Sequence, residues 1–262
     1  MIEARDLVFR YGRARRPASG PAPHPQLDDV SLRVTDGEKV GVVGPNGSGK
    51  TTLLRMLYGS LTPDRGQVLL DGRDLAGLPR RDIARELAVV VQERSSDLPM
   101  TVADLVMLGR LPYQGTPGHT RADDEAAVTR ALATVGMDTL ARRDFAVLSG
   151  GERQRALIAR ALAQGTGHIL LDEPTNHLDI RYQHDVLDMV SRLPATVVVV
   201  LHDLNLTARY CDRVVVMDAG RIIADGAPAD VLVPEVIAPV YGVDVRRVDV
   251  DGDVNLVFRP RR

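Results

Sequence analysis

Two kinds of apolar pattern alternate along the chain. Lys39–Val43 is a β-rich run followed by a Gly-rich turn, and over about 50–58 the residues Leu53, Leu54 and Leu57 fall on one helical face. The runs at 169–171, 196–201 and 213–217 are almost continuously apolar, as strands are when both faces are covered. This alternation predicts an α/β core: a mainly parallel sheet flanked by helices. The first 35 residues and 66–70 instead alternate polar and apolar positions, which suits a small antiparallel β subdomain. Between about 95 and 148, Ala-rich and charged stretches such as 122–135 read as an inserted helical subdomain. From about Pro228 a short helix and an Asp/Val/Arg-rich tail follow.

The expected organisation is therefore one domain over 1–227, with the helical insertion at about 93–150, and a C-terminal appendage over 228–262. Residues 13–25, RARRPASGPAPHP, offer no core-facing side and are expected to form a flexible loop. No internal repeat is visible.

Composition narrows the function classes. Aromatics make up 3% of the 262 residues and Trp is absent, so the core must be aliphatic. The net charge of -2 gives no basic footprint for nucleic acid. Cys211 is the only cysteine, which rules out an intrachain disulfide and fits a reducing compartment. The opening MIEARDLVFRYG lacks the apolar stretch of a secretory leader, and no run approaches the roughly 20 residues of a spanning helix. A role in transport would have to act through partner chains.

Residues 44–51 read G-P-N-G-S-G-K-T and match the phosphate-binding pattern G-x-x-x-x-G-K-[ST] between a strand and a helix. The glycines Gly44, Gly47 and Gly49 let the backbone turn tightly and aim N–H groups at phosphate oxygens. The following helix presents its positive end to the same anion. Lys50 can reach the β- and γ-phosphates, and the Thr51 hydroxyl can ligate Mg²⁺. Pro45, Asn46, Ser48 and Thr52 complete the nucleotide-binding candidates. This loop alone is shared by kinases, GTPases and helicases.

His168-Ile-Leu-Leu-Asp172-Glu173 is an apolar strand ending in two acids. Asp172 is placed to support Mg²⁺, and Glu173 to orient or deprotonate an attacking water. Leu148-Ser-Gly-Gly-Glu-Arg-Gln154 opens an Ala/Leu-rich helix. Ser149 there reads as a helix cap, and, with Gly150 and Gly151, equally as a second anion site.

Together these residues resemble the nucleotide-binding subunit of ATP-binding cassette (ABC) transporters, over nearly the whole chain. LSGGERQ resembles the family's signature, GPNGSGKT its Walker A motif and HILLDE its Walker B motif. Gln92 matches the Q-loop, Leu178 and Asp179 the D-loop, His202 the switch histidine, and Tyr11 in FRYG the aromatic that stacks on adenine. The resemblance implies a P-loop NTPase (RecA-like) fold, an ATPase, and a head-to-tail dimer with a second copy of the subunit. In it, Ser149, Gly150 and Gly151 of one copy close on the ATP held by the other. It further implies that Glu173 polarises water, His202 contacts the γ-phosphate and Asp179 crosses the interface, while Gln92 links the Mg²⁺ held with Thr51 and Asp172, or the attacking water, to the helical subdomain.

Segments 101–113, 172–190, 202–228 and 231–245 resemble the importers of iron–siderophores, haem and cobalamin. That likeness implies integral-membrane permease subunits as partners, a substrate-binding protein indirectly, and a peripheral position on the cytoplasmic face of the cell membrane. The 13–25 segment is longer than the family usually has there. Alternatives remain an ABC ATPase for another cargo and a soluble ABC ATPase not linked to transport. A ribosomal ABC protein would usually carry two cassettes. A DNA-repair ATPase would interpose a coiled coil, and a P-loop kinase has no use for LSGGERQ. A purely regulatory ATP-binding module would be expected to lack Glu173 or His202.

Overall fold

A computed structural model describes residues 1–11, 26–91, 99–250 and 252–260, so the 13–25 loop expectation and Gln92 lie outside the described residues. The chain divides into two units, Met1–Leu78 with Val198–Arg262, and Pro79–Val197.

The first unit begins with β1 (Ile2–Phe9) and β2 (Leu27–Val34), paired antiparallel with Ile2 opposite Val34. Leu27, Val30, Leu32 and Val34 are buried while the residues between them are not, which is the predicted alternation. After β3 (Lys39–Val43) and α1 (Lys50–Leu57) come β4 (Arg65–Leu70) and the short β5 (Arg73–Asp74). The sheet order β2-β1-β4-β5 is antiparallel throughout and supplies the small β subdomain.

The second unit comprises α2 (Arg80–Glu86), β6 (Leu87–Val90), α3 (Val102–Met107), α4 (Arg121–Thr134), α5 (Gly150–Ala163), β7 (His168–Asp172) and α6 (Ile180–Ser191). β6 and β7 are parallel, with Leu87 opposite His168. Three helices start the same way: Thr101 with Asp104, Thr120 with Asp123 and Ser149 with Glu152 form reciprocal capping boxes.

The described part of the predicted helical stretch, 99–148, is less helical than its composition suggests. Pro112 restricts 108–113 to a 3-10 turn, and Gly115, Gly118 and Gly136 take positive φ. A half-buried polar cluster around the buried Arg110 holds this irregular stretch. Arg110 Nε donates to Asp124 Oδ1 at 2.8 Å, and Arg110 Nη1 donates to the Ala163 carbonyl at 2.6 Å. The guanidinium also lies 4.0 Å from the centroid of the Tyr113 ring, whose hydroxyl donates to the Gln164 carbonyl. His119 Nε2 is 2.6 Å from Asp124 Oδ1. Burial pushes the Asp124 carboxyl up, but the bonds from Arg110 and His119 outweigh it and hold the pKa below its ordinary value.

The chain returns to the first unit through β8 (Thr196–Val200), buried at every position as its unbroken apolar run predicts. Then follow α7 (Leu204–Tyr210), β9 (Arg213–Asp218), β10 (Arg221–Gly226), α8 (Pro228–Val231), α9 (Pro234–Tyr241) and the hairpin β11 (Val243–Val250) with β12 (Asp253–Pro260). β3 pairs parallel with β9 from Val40 opposite Arg213 to Val43 opposite Val216. Burial of Cys211 pushes its thiol up to about 12. Among the described residues no helix is long and apolar enough to cross a membrane.

Candidate functional site

In the first unit, β3 ends at the buried Val43 and the loop from Gly44 leads into α1. Gly49 caps the helix at φ +103, a conformation that L side chains rarely adopt. Among the described residues no side chain caps this start and no acidic residue occupies its first turn, so the positive end of the helix faces an anion without a competing carboxylate. The buried Lys50 folds back over the loop, its Nζ donating to the carbonyls of Gly44 at 2.7 Å and Pro45 at 3.0 Å. Asn46 and Gly47 are exposed at the loop's crest, while Ser48 Oγ is buried without a hydrogen-bond partner among the described residues. Leu53, Leu54, Met56 and Leu57 bury the opposite face of α1, which fixes the direction of its N-terminus.

Tyr11 stands beside this loop. Its hydroxyl lies 3.4 Å from Thr52 Oγ1 and its ring meets Phe9 edge-on at 4.9 Å, while half of the residue stays exposed. Such a ring can accept a flat base. Thr51, in the first turn, offers its hydroxyl to a hard cation. His202 is exposed just after β8, where Leu201 N–H donates to the Val42 carbonyl. Asp203 then caps α7, accepting from the amides of Asn205 at 2.8 Å and Leu206 at 3.0 Å.

In the second unit, Asp172 closes β7 and Glu173 follows at φ +52. A non-glycine residue in this region carries strain that its surroundings must hold. Here they do: the Asn176 amide N–H donates to the Glu173 carbonyl, and the Asn176 side chain donates to the Glu173 carboxylate. His177 at φ +63 completes the same tight turn.

Ser149 is a capping residue in this structure. Its hydroxyl and its backbone N–H each donate to Glu152 Oε2 at 2.8 Å, and these bonds hold the Glu152 carboxyl below its ordinary range. Of the two sequence readings of Ser149, cap and anion site, the first is therefore occupied, and the second requires the hydroxyl to turn. Gly151 has no room for a side chain, because a Cβ there would lie 2.8 Å from the Tyr182 ring. Asp179, exposed, caps α6 by accepting from the Tyr182 amide at 3.2 Å.

Three residues outside the sequence candidates join these groups: Asn176 on Glu173, Tyr182 against Gly151, and Asn205 after His202. Asn176, three residues beyond Glu173 in a Pro-Thr-Asn-His turn, had a local signal. Tyr182 and Asn205 had none, because their partners are distant in sequence.

Residues 27–176 match the family described as ABC transporter. The hemin import ATP-binding protein of Rhodopseudomonas palustris is 46% identical over 230 residues, covering 83% of this chain and 82% of the relative. The ferric enterobactin transport ATP-binding protein of Escherichia coli is 39% identical, covering 85% and 83%. An inward-facing putative metal-chelate type ABC transporter superposes with a TM-score of 0.81 at 25% identity, over 100% of this chain and 97% of that one. A dimeric ATP-binding cassette holding ADP and Pi after hydrolysis gives 0.73 at 26% identity, over 87% and 99%.

Proposed function

Because the chain belongs to the ABC transporter family and is its ATP-hydrolysing subunit, we propose that it drives import of haem, an iron–siderophore chelate or cobalamin. The observation that carries this reading is the near full-length likeness to import ATP-binding proteins, with identities of 46% and 39%. The subunit works as a head-to-tail dimer on permease subunits, peripheral to the cytoplasmic face of the cell membrane, and a substrate-binding protein delivers the cargo. The dimeric cassette supports the pairing, and so do two exposed apolar side chains: Val147, 59% exposed just before the signature, and Ile180, 76% exposed next to Asp179.

The chemistry follows from the side chains. Tyr11 stacks on adenine, and the amides of the loop from Gly44 to Thr52 cradle the phosphates. Lys50 gives charge-assisted bonds to the β- and γ-phosphates. Thr51, Gln92 and Asp172 each carry an oxygen of the kind Mg²⁺ prefers and would hold that ion, which would neutralise charge on the transferred phosphoryl group. Glu173 takes the proton of the attacking water while His202 steadies the γ-phosphate. The partner subunit's Ser149 and Gly151 close the site, and Asp179 spans the interface.

Deletion of the gene, followed by uptake assays with haem, ferric siderophores and cobalamin, tests the reading. Loss of uptake of one of these is expected. Normal uptake of all three, with a ribosome or DNA-repair defect instead, would overturn it. In the purified complex, Leu111→Asp on an exposed apolar position of the helical region should spare basal hydrolysis but abolish permease binding.

A further inference from the structure

The segment after β10 returns to the residues that follow β8. Asn205, three residues beyond His202, exchanges two hydrogen bonds with the backbone of Leu256 in β12: Asn205 Nδ2 donates to the Leu256 carbonyl at 3.2 Å, and Leu256 N–H donates to Asn205 Oδ1 at 2.7 Å. One side chain thus replaces a rung of a missing strand along the edge of the C-terminal hairpin. The backbone N–H of the same Asn205 is held by Asp203. The stretch that follows His202 is therefore fixed twice, once by its own cap and once by the hairpin. Leu256 is buried, so the second anchor is itself rigid.

The same C-terminal segment reaches the phosphate loop. The Tyr241 hydroxyl, at the end of α9, is buried against the Gly44 amide without the geometry of a full hydrogen bond. Between the two anchors is a cavity of about 430 Å³ bordered by His202, Asp203, Asn205, Tyr241 and Phe258. The stretch from His202 to Asn205 thus forms one wall of a space whose opposite wall, Tyr241, Val243 and Phe258, is C-terminal.

We propose that the C-terminal hairpin acts in ATP hydrolysis through Asn205, a positioning residue that sets the His202 loop for the γ-phosphate. The inference rests on the assignment of His202 to that phosphate. The side-chain amide touches no substrate; it fixes where the switch loop sits.

The test is a double-mutant cycle in the ATP-dependent dimer, comparing Asn205→Ala, His202→Ala and the pair, with kcat, KM, ATP affinity and thermal midpoint measured for each. Losing two neutral hydrogen bonds, felt in the transition state, should lower kcat about tenfold, with ATP affinity within twofold of the parent. In the His202→Ala background the same substitution should cost nothing further, because its effect passes through the absent imidazole. Asn205→Gln keeps both the donor and the acceptor on a longer arm and should lose less, which keeps the test open if the alanine variant folds poorly. An equal further loss on top of His202→Ala, or an unchanged kcat in a folded Asn205→Ala protein, would overturn the proposal. Normal turnover by His202→Ala would remove the assignment it rests on, and the proposal with it.

Discussion

The side chain of Asn176 donates to the carboxylate of Glu173 across a turn in which Glu173 is itself left-handed. This bond fixes the direction of the carboxylate that is proposed to activate water. Glu173→Gln should bind ATP and hydrolyse it roughly 10²–10⁴-fold more slowly. Asn176→Ala, which leaves the acid but frees its rotamer, should lose roughly ten- to a hundredfold. Single-turnover hydrolysis measured beside ATP affinity separates the two, and equal rates in Glu173→Gln and parent would remove Glu173 from its role.

Lys50→Ala should weaken nucleotide binding itself by about 1.5–3 kcal/mol, read by titration with a fluorescent ATP analogue. Ser149→Arg should instead leave binding to the single subunit largely intact and abolish hydrolysis. Mixing the two nearly inactive proteins places both defects at one site and neither at the other. Partial activity should return on mixing. Activity no greater than that of the separate proteins is the contrary result.

Gly151→Ala pushes a methyl group to 2.8 Å from the Tyr182 ring. Overpacking of this kind costs about 1–3 kcal/mol, so the denaturation midpoint should fall. Tyr182→Ala in the same protein should give part of that stability back. Strict additivity of the two substitutions would show that the ring is not the obstacle.

The Asp124 carboxyl, held below its ordinary pKa by Arg110 and His119, contributes stability above the unfolded carboxylate range. That contribution disappears as the pH falls through the depressed folded value. Asp124→Asn should therefore be less stable than the parent at neutral pH, and the gap between their melting curves should close in acid. A gap independent of pH would mean that packing, and not charge, is what the substitution removes.

Strands were legible at Val197–Val200, where burial on both faces made the sequence uniformly apolar, and in β2, where one face was wet and the residues alternated, but the equally apolar β6 was missed because only four residues carry its pattern. The start of α1 was legible because the loop before it demands glycine at Gly49. Over the described residues 99–148 the helical reading overshot, since alanine and charge speak for helix while Pro112, Gly115 and Gly118 interrupt it locally. The competing readings of Ser149 could not be separated from sequence either, because a capping serine and a phosphate-facing serine need the same residue type at the same helix start. Asn205 shows the wider limit. An asparagine after a capping aspartate looks like ordinary turn chemistry, and its partner Leu256 lies 51 residues away.

The single cysteine has a practical consequence. Cys211 is buried and its thiol is driven up to about 12, so near neutral pH it holds almost no thiolate to react with a maleimide. The native chain already provides a silent background for spin or fluorescent probes. One cysteine introduced at an exposed position, such as Ile180, would carry a single reporter per subunit, and the distance between two such reporters could be followed through the nucleotide cycle.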